Sequence, residues 1–334
     1  MKIKIAIYGG TYLSPALVAF VTSLTKNLIK YPEIILVSGG FDHYIKFPKR
    51  KSVDKVVMET AEKYIDAADF NNRFETWLPK DFDRKKVERF RKGTVREIRG
   101  SVQARRFNVV QNIDALVTIK GEGNTRSVVE LALAINKLVL PIAFTGGDSA
   151  KVWNVYSNDI EKMLKMPDSL GIELKKVPST TADINKIGKK VADFIKEAVK
   201  KTCLVLMPFK KSNNNFYDNY FKKAITGSNY IDHRIDRNDP AGNIPELFLT
   251  SLDRATAVIV DITGYNPNVM YELGHVHSKN MTPLIILRTG SNAKKDLLDL
   301  PFYLKQEMIV KESDNIEGYN KLKIAIESFL KSHK

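Results

Sequence analysis

Two hydrophobic periodicities alternate along this chain. Short apolar runs of strand length (KIKIAIYGG, EIILVSGG, FETWLP, Ala115–Ile119, LVLPIAF) are separated by longer stretches with apolar residues every three to four positions. The first run passes through Gly9, Gly10 and Thr11 into an amphipathic helix, and Ser52 is placed to cap a second helix running to about Ala68. After Ala115–Ile119, Val128, Val129, Leu131, Ala132 and Ala134 form the inner face of another helix. Apolar periodicity lapses between Ser169 and Thr181, where Thr181 is placed to cap a long amphipathic helix to Lys200. The second half repeats the alternation. CLVLMPF precedes a helix from Asn215 to about Thr226, then come the polar segment IDHRIDRNDPAGN, a helix from Ile244 to Ala255, and the apolar run Ala257–Val260 that stops at Asp261. Asn266 and Pro267 open a further helix; Pro283–Leu287 reads as a strand, another helix and the strand-like QEMIVKE follow, and Asn315–Ser332 reads as a last helix.

Alternating strands and helices predict an α/β protein with parallel sheets covered on both faces. The lapse in periodicity divides the chain into a first domain, 1–170, a linker and bridging helix, 171–200, and a second domain, 201–334. The pattern leaves open whether that helix bridges the domains or belongs to the second. The halves share architecture but no repeated motif.

At 334 residues two domains are the default, and 43% hydrophobic with 27% charged residues is the make-up of a globular protein. A net charge of +15 suits polyanions: nucleic acid, an acidic membrane surface, or phosphorylated small molecules. The densest basic stretch, Lys80 to Arg106, reads either as a solvated helix face or as a phosphate-facing rim. The single cysteine, Cys203, excludes a disulfide framework and a thiolate metal cluster. With no signal-like N-terminus and no apolar run of membrane-spanning length, the expected location is cytoplasmic, without a membrane partner.

Glycines collect at the ends of the predicted strands of the first half: Gly9 and Gly10, Gly39 and Gly40, Gly121 and Gly123, Gly146 and Gly147. None completes a G-x-G-x-x-G fingerprint. A glycine loop entering a helix does present amide groups to an anion, as GEGNT (Gly121–Thr125) would. Together with Arg106 these junctions resemble the SLOG family, Rossmann-like nucleotide-binding domains related to the lonely-guy proteins. The resemblance covers roughly Met1 to Leu164, through IYGGTYLSP, LVSGG, ARRFNVVQNIDALVTI, GEGNT with Glu130, and LPIAFTGGDSAKVW. It implies a site for a nucleotide-derived signal formed by Gly9, Gly10, Thr11, Gly39, Gly40, Arg106, Gly121, Gly123, Asn124, Thr125, Glu130, Gly146 and Gly147. Glu130 comes five residues after Thr125, wider than the lonely-guy spacing, which implies sensing rather than hydrolysis.

In the second half, Glu272 falls at the edge of the buried face formed by Val269, Leu273 and Val276. It lies past the first helical turn, where interaction with the helix dipole fades. Four segments end at the predicted ligand edge: Phe209 after its strand, Arg234 with Asp236, Asp261, and Asn266 to Glu272. Such a set suits a sugar joined to a base. Asp261 or Asp236 would accept from ribose hydroxyls, Phe209 or Tyr271 would stack, Arg234 would meet a phosphate, and Glu272 would face the anomeric carbon. From Thr202 to Val310 the chain resembles the nucleoside 2-deoxyribosyltransferase-like branch of the TIR-related, flavodoxin-like folds, most specifically through AVIVDITGYNPNVMYELGHVH. The resemblance implies a catalytic role for Glu272 and family positions at Asp261, Asn268 and His277. His275 replaces a usually apolar residue; residues two apart face different ways on a helix and no third ligand is spaced to join them, so no metal is expected.

Walker, G-x-S-x-G and H-E-x-x-H motifs are absent from the sequence. The two resemblances imply a nucleotide-signal-regulated N-glycosidase that cleaves NAD to nicotinamide and ADP-ribose in anti-phage defence, with NAD as substrate and no cofactor required. Alternatives are a nucleoside or deoxynucleotide hydrolase or 2-deoxyribosyltransferase, and a nucleotide-binding regulator without turnover. Coupling a signal to activity makes a homo-oligomer the natural vehicle, and with no recognition module visible, nucleic acid is not an expected partner.

Overall fold

The structure is a computed structural model that describes residues 2–164, 166–228, 230–238, 243–289, 304 and 309–332. The chain divides into two units, Lys2–Val199 and Lys200–Lys334, the latter grouped with Met1.

The first unit runs β1 (Ile3–Gly9), α1 (Pro15–Ile29), β2 (Ile34–Ser38), β3 (Phe41–Tyr44), α2 (Val53–Tyr64), α3 (Phe70–Arg73) and β4 (Phe74–Pro79). It continues through β5 (Val87–Arg89), β6 (Thr94–Ile98), α4 (Val102–Asn112), β7 (Ala115–Ile119), α5 (Asn124–Ala134), β8 (Leu138–Ile142), α6 (Gly147–Leu164), α7 (Asp168–Glu173) and α8 (Thr181–Ala198). Six strands pair in parallel in the order β6-β4-β2-β1-β7-β8. The chain leaves β1 toward β2 on one side and returns to β7 on the other. That reversal opens a crevice at the carboxyl ends of β1 and β7, the position where Rossmann-like sheets hold ligands. Outside the sheet, β3 and β5 pair antiparallel as a two-stranded ribbon.

Three expectations change here. Helix α2 stops at Tyr64 rather than near Ala68. The basic stretch from Lys80 is not one helix face: it forms β5, β6 and the start of α4. The helix from Thr181 is capped one residue earlier, by Thr180 in a reciprocal capping box with Asp183. It is built into the first unit. Its stripe of Ile184, Ile187, Val191 and Ile195 is buried, and Gly188 lies so close to α1 that a Cβ there would stand 2.6 Å from Ser23 Oγ. Tyr31 Oη donates to Asp193 at 2.7 Å, just beyond the end of α1. The segment from 171 to Val199 is therefore a packed layer of the first unit, since its apolar stripe already has a partner there.

The second unit runs β9 (Lys201–Leu206), α9 (Ser212–Phe216), a π turn at Tyr217–Phe221, α10 (Lys222–Gly227), β10 (Tyr230–His233), α11 (Ile235–Asn238) and α12 (Ile244–Arg254). Then come β11 (Ala257–Asp261), α13 (Pro267–Ser278), β12 (Leu284–Thr289), β13 (Ile309–Ser313) and α14 (Ile316–Ser332). Its sheet is parallel in the order β10-β9-β11-β12-β13. That is the flavodoxin order, with the switch point between β9 and β11. Successive side chains of a strand serve opposite faces. Val205, Ile259 and Ile286 pack with Phe221, Ile225 and Ile326 on one face, while Leu204, Leu206, Val258 and Val260 pack with Phe248, Val269, Leu273 and Val276 on the other. Both units are thus α/β with parallel sheets. Among the described residues, no helix is long and apolar enough to cross a membrane.

Candidate functional sites

A cavity of about 280 Å³ opens at the switch point of the first unit. Tyr8 to Tyr12, leaving β1, form one side, and Lys120, Glu122, Asn124 and Thr125, between β7 and α5, form another. The second loop needs left-handed backbone, with φ of 54° at Lys120, 90° at Gly121 and 75° at Gly123. Gly123 stands at the N-cap of α5, where no side chain caps the helix. An uncapped helix start is favourable to an anion.

Guanidinium groups dominate the cavity. Arg105, on α4, is 3% exposed, and neither its Nε nor its Nη1 has an acceptor. Arg89, on β5, donates through Nη1 to the Gly39 carbonyl at 2.8 Å, while its buried Nε has no partner. Burial, and then the positive charge of Arg105, push the Arg89 pKa down to about 10. Arg106 is held outside this pair, donating from Nε to Tyr8 Oη at 2.9 Å and from Nη1 to Asn124 Oδ1 at 3.0 Å. Guanidinium remains protonated even here, and each buried donor left unmade costs about 1–3 kcal/mol. A bound anion would offset that cost. Phe41 and Tyr44, from the ribbon, supply aromatic surface beside the cations. The arrangement fits a phosphorylated ligand with an aromatic part.

Of the residues expected in a signal site, Gly9, Gly10, Thr11, Arg106, Asn124 and Thr125 line this cavity. Gly39 acts one step behind it, because a Cβ there would stand 2.3 Å from Arg105 Nη1. Gly40 does not line the cavity either; a Cβ there would meet Leu78 and Thr76 at 2.6 and 2.7 Å. Gly121 and Gly147 let the two neighbouring turns cross, with a Cβ on Gly147 only 2.3 Å from the Gly121 carbonyl oxygen. Gly146, like Gly123, serves a left-handed turn. Glu130 is away from the cavity: Arg126 donates to it at 2.8 Å and Tyr156 at 3.2 Å, and the bond from Arg126 keeps its pKa below the usual carboxylate value. Sequence reasoning placed Arg89 and Arg105 only within a basic stretch that could face phosphate, without singling them out, and passed over the aromatic residues Phe41 and Tyr44. The available signal for Arg105 was its place at the head of an i, i+4, i+8 stripe with Val109 and Ile113, both buried.

In the second unit, α13 begins at Pro267 with Asn266 as its cap, the Asn266 side chain accepting from the amides of Asn268 and Val269. Val269, Leu273 and Val276 face the core, and Glu272 is drawn in beside them at 9% exposure. No hydrogen bond or ion pair reaches Glu272 among the described residues. Burial alone pushes its pKa up to about 7. Asp261, also buried, is in the opposite condition. Arg288 donates to its Oδ2 through Nε at 3.1 Å and Nη2 at 2.9 Å, and the Thr263 amide donates to its Oδ1 at 3.0 Å. Asp261, expected to accept from a ribose, is thus already held by three internal donors.

Arg234 likewise departs from its expected role. It is fully buried, and its Nε and Nη2 each donate to Asp236 at 2.7 Å, with the Tyr217 ring 5.0 Å away. Each oxygen of the partly exposed Asp236 thus accepts one bond from Arg234. Phe209 and Tyr271 are exposed, and Tyr271 meets the His275 ring edge to face at 4.6 Å between centroids. His277 and the exposed Asn268 lie on α13. Among the described residues, no three His, Cys, Asp or Glu side chains gather in a metal-binding arrangement.

No curated protein matches the chain. Among solved structures, the X-ray structure of TM1055 is similar over 46% of this chain and 81% of that one, at 22% identity and a TM-score of 0.35. DNA processing protein A from Helicobacter pylori, described with a single-stranded DNA binding mode, is similar over 49% of this chain and 80% of that one, at 19% identity and a TM-score of 0.32. Residues 118–198, from the end of β7 through the whole of α8, match the Sir2- and TIR-associating SLOG family, a span that starts and ends later than the resemblance read from sequence.

Proposed function

We propose that the first unit binds a phosphorylated, nucleotide-type signal in the Arg105 cavity and that the second unit breaks an N-glycosidic bond at Glu272, with NAD as the substrate. The observation that carries the catalytic half is Glu272 itself, a buried carboxylate that meets no cation among the described residues, its pKa pushed up to about 7 by burial. Rupture of the bond between ribose and nicotinamide builds positive charge on the sugar, which a carboxylate stabilises or captures as a glycosyl intermediate. Nicotinamide is bound as a pyridinium and leaves neutral, so the departing group needs no proton. The ionised form of Glu272 is then the working form, and its activity rises with pH through about 7. A nucleoside whose base leaves as an anion requires a proton donor instead, and its cleavage falls over the same range. The SLOG match over residues 118–198 supports nucleotide recognition by the first unit.

The test is to incubate the chain with NAD and with a panel of deoxynucleosides, alone and with cyclic or linear ADP-ribose-type signals, and to follow free nicotinamide or base. Nicotinamide release that disappears in a folded Glu272→Gln variant supports the reading; undiminished release in that variant ends it. A second reading, a nucleotide-binding regulator without turnover, is favoured by the engagement of Asp261 and Arg234 in internal ion pairs. It predicts tight nucleotide binding and no product under any of these conditions.

A further inference from the structure

A second cavity, of about 420 Å³, lies beside the first and shares Val87 and Arg89 with it. It sits at the carboxyl ends of β4 and β6, where Leu78, Pro79 and Glu97 contribute to its wall. Its charged lining is Lys80, Arg84, Arg89 and Arg91 against Glu88 and Glu97, an excess of cations. Arg91 and Glu97 neutralise each other at 2.8 Å, both partly exposed. Lys80, Arg84 and Arg89 then stand against Glu88 alone, a net positive lining for an incoming anion.

Phe82 organises these charges. The guanidinium of Arg84 lies 5.4 Å from its ring centroid and that of Arg89 lies 5.1 Å away. Arg89 is also 5.9 Å from the Phe41 ring of the first cavity. It thus stands between an aromatic residue of each cavity, with a buried Nε that no protein group accepts. Two cations against one ring, one of them short of an acceptor, form a receptor for phosphate, and the ring offers a face on which a base can stack.

We propose that this second cavity is a distinct site for a nucleoside phosphate, with the phosphate between Arg84 and Arg89 and the base against Phe82. Arg89 ties it to the first cavity, since both sites draw on one guanidinium. The proposal does not depend on catalysis by Glu272.

Isothermal titration of the full chain with 5′-AMP and with inorganic phosphate tests it. Two AMP sites per chain are expected. Arg84→Ala weakens one of them at least tenfold and spares the other; Phe82→Ala weakens AMP but not phosphate at that same site. Arg105→Met weakens the other site about 10- to 100-fold, and Arg89→Lys, which keeps the charge but not the fork, weakens both several-fold. Arg84 is exposed, so its variant is expected to fold, which circular dichroism checks. A single AMP site indifferent to both Arg84→Ala and Phe82→Ala overturns the proposal. Loss of the Arg105-sensitive site alone, with the Arg84-sensitive one retained, supports it and counts only against the signal-binding role of the first cavity.

Discussion

Among the described residues, the first unit buries guanidinium nitrogens that lack acceptors, and the second buries a carboxylate that lacks a cation. Arg105 and Glu272 each occupy a helix beside the carboxyl edge of a parallel sheet, and each is almost fully withdrawn from water. Their neighbours show what ordinary stabilisation looks like in this chain. Asp261 is buried too, yet Arg288 and a backbone amide satisfy it. Arg234 is buried and clasped by Asp236. A fold able to pair its buried charges so closely, and leaving these two without an ion pair among the described residues, retains them at a cost to stability that a ligand or substrate can offset.

The sharpest way to break this contrast is to exchange its terms at Asp261. Asp261→Asn replaces one of the two carboxylates on Arg288, whose Nη1 still donates to Asp314 at 3.1 Å, and is expected to cost up to about 3 kcal/mol in urea unfolding, as the loss of charged hydrogen bonds does. A loss below about 1 kcal/mol would mean that Asp261 is as lightly held as Glu272. Glu272→Gln is expected to lower NAD cleavage on the order of 100- to 1,000-fold, as loss of transition-state charge stabilisation does. The same variant gains stability, and the sign follows from protonation. Between about pH 4.5 and 7 the folded chain holds a proton that the unfolded chain has released, so stability falls as pH rises through that window. Glu272→Gln should match the parent near pH 4 and exceed it by at most roughly 3 kcal/mol above pH 7. Equal stability at both pH values would remove the strain from the account.

At Arg105 the expected change is in affinity. Arg105→Met should weaken nucleotide binding about 10- to 100-fold by calorimetry, from the loss of charged hydrogen bonds, and leave the melting temperature unchanged or raised. A large drop in melting temperature instead would show that Arg105 supports the fold. The smallest effect is a calibration outside both sites. Thr180→Ala removes the cap of α8 and should cost about 1 kcal/mol.

What the sequence disclosed and what it hid follow from the range of the interactions. Strand ends, glycine turns and the half-buried position of Glu272 are local, and periodicity alone places them. Arg105 and Arg106 defeated the same reasoning. Each stands four residues before a buried valine, Val109 or Val110, and only the next turn, Ile113 against Asp114, tells the inward arginine from its neighbour. The ribbon that brings Arg89 to the cavity pairs Phe41–Tyr44 with Val87–Arg89 across more than forty residues, and neither piece carries a hairpin signal. The Asp261–Arg288 pair depends on register: Asp261 stands opposite Ile286, and Arg288 follows two positions along the same face of β12. Such facts exist only once strands are aligned.

The docking of α8 against α1 decides where the chain can be divided for experiment. A scissor placed near residue 170 or 180 would peel Ile184, Ile187, Val191 and Ile195 from the body they cover, and would leave a greasy scar on one fragment and an orphan helix on the other. Separated between Val199 and Lys200, each half keeps its own layers intact. Expressed that way, the two halves can be titrated and assayed apart.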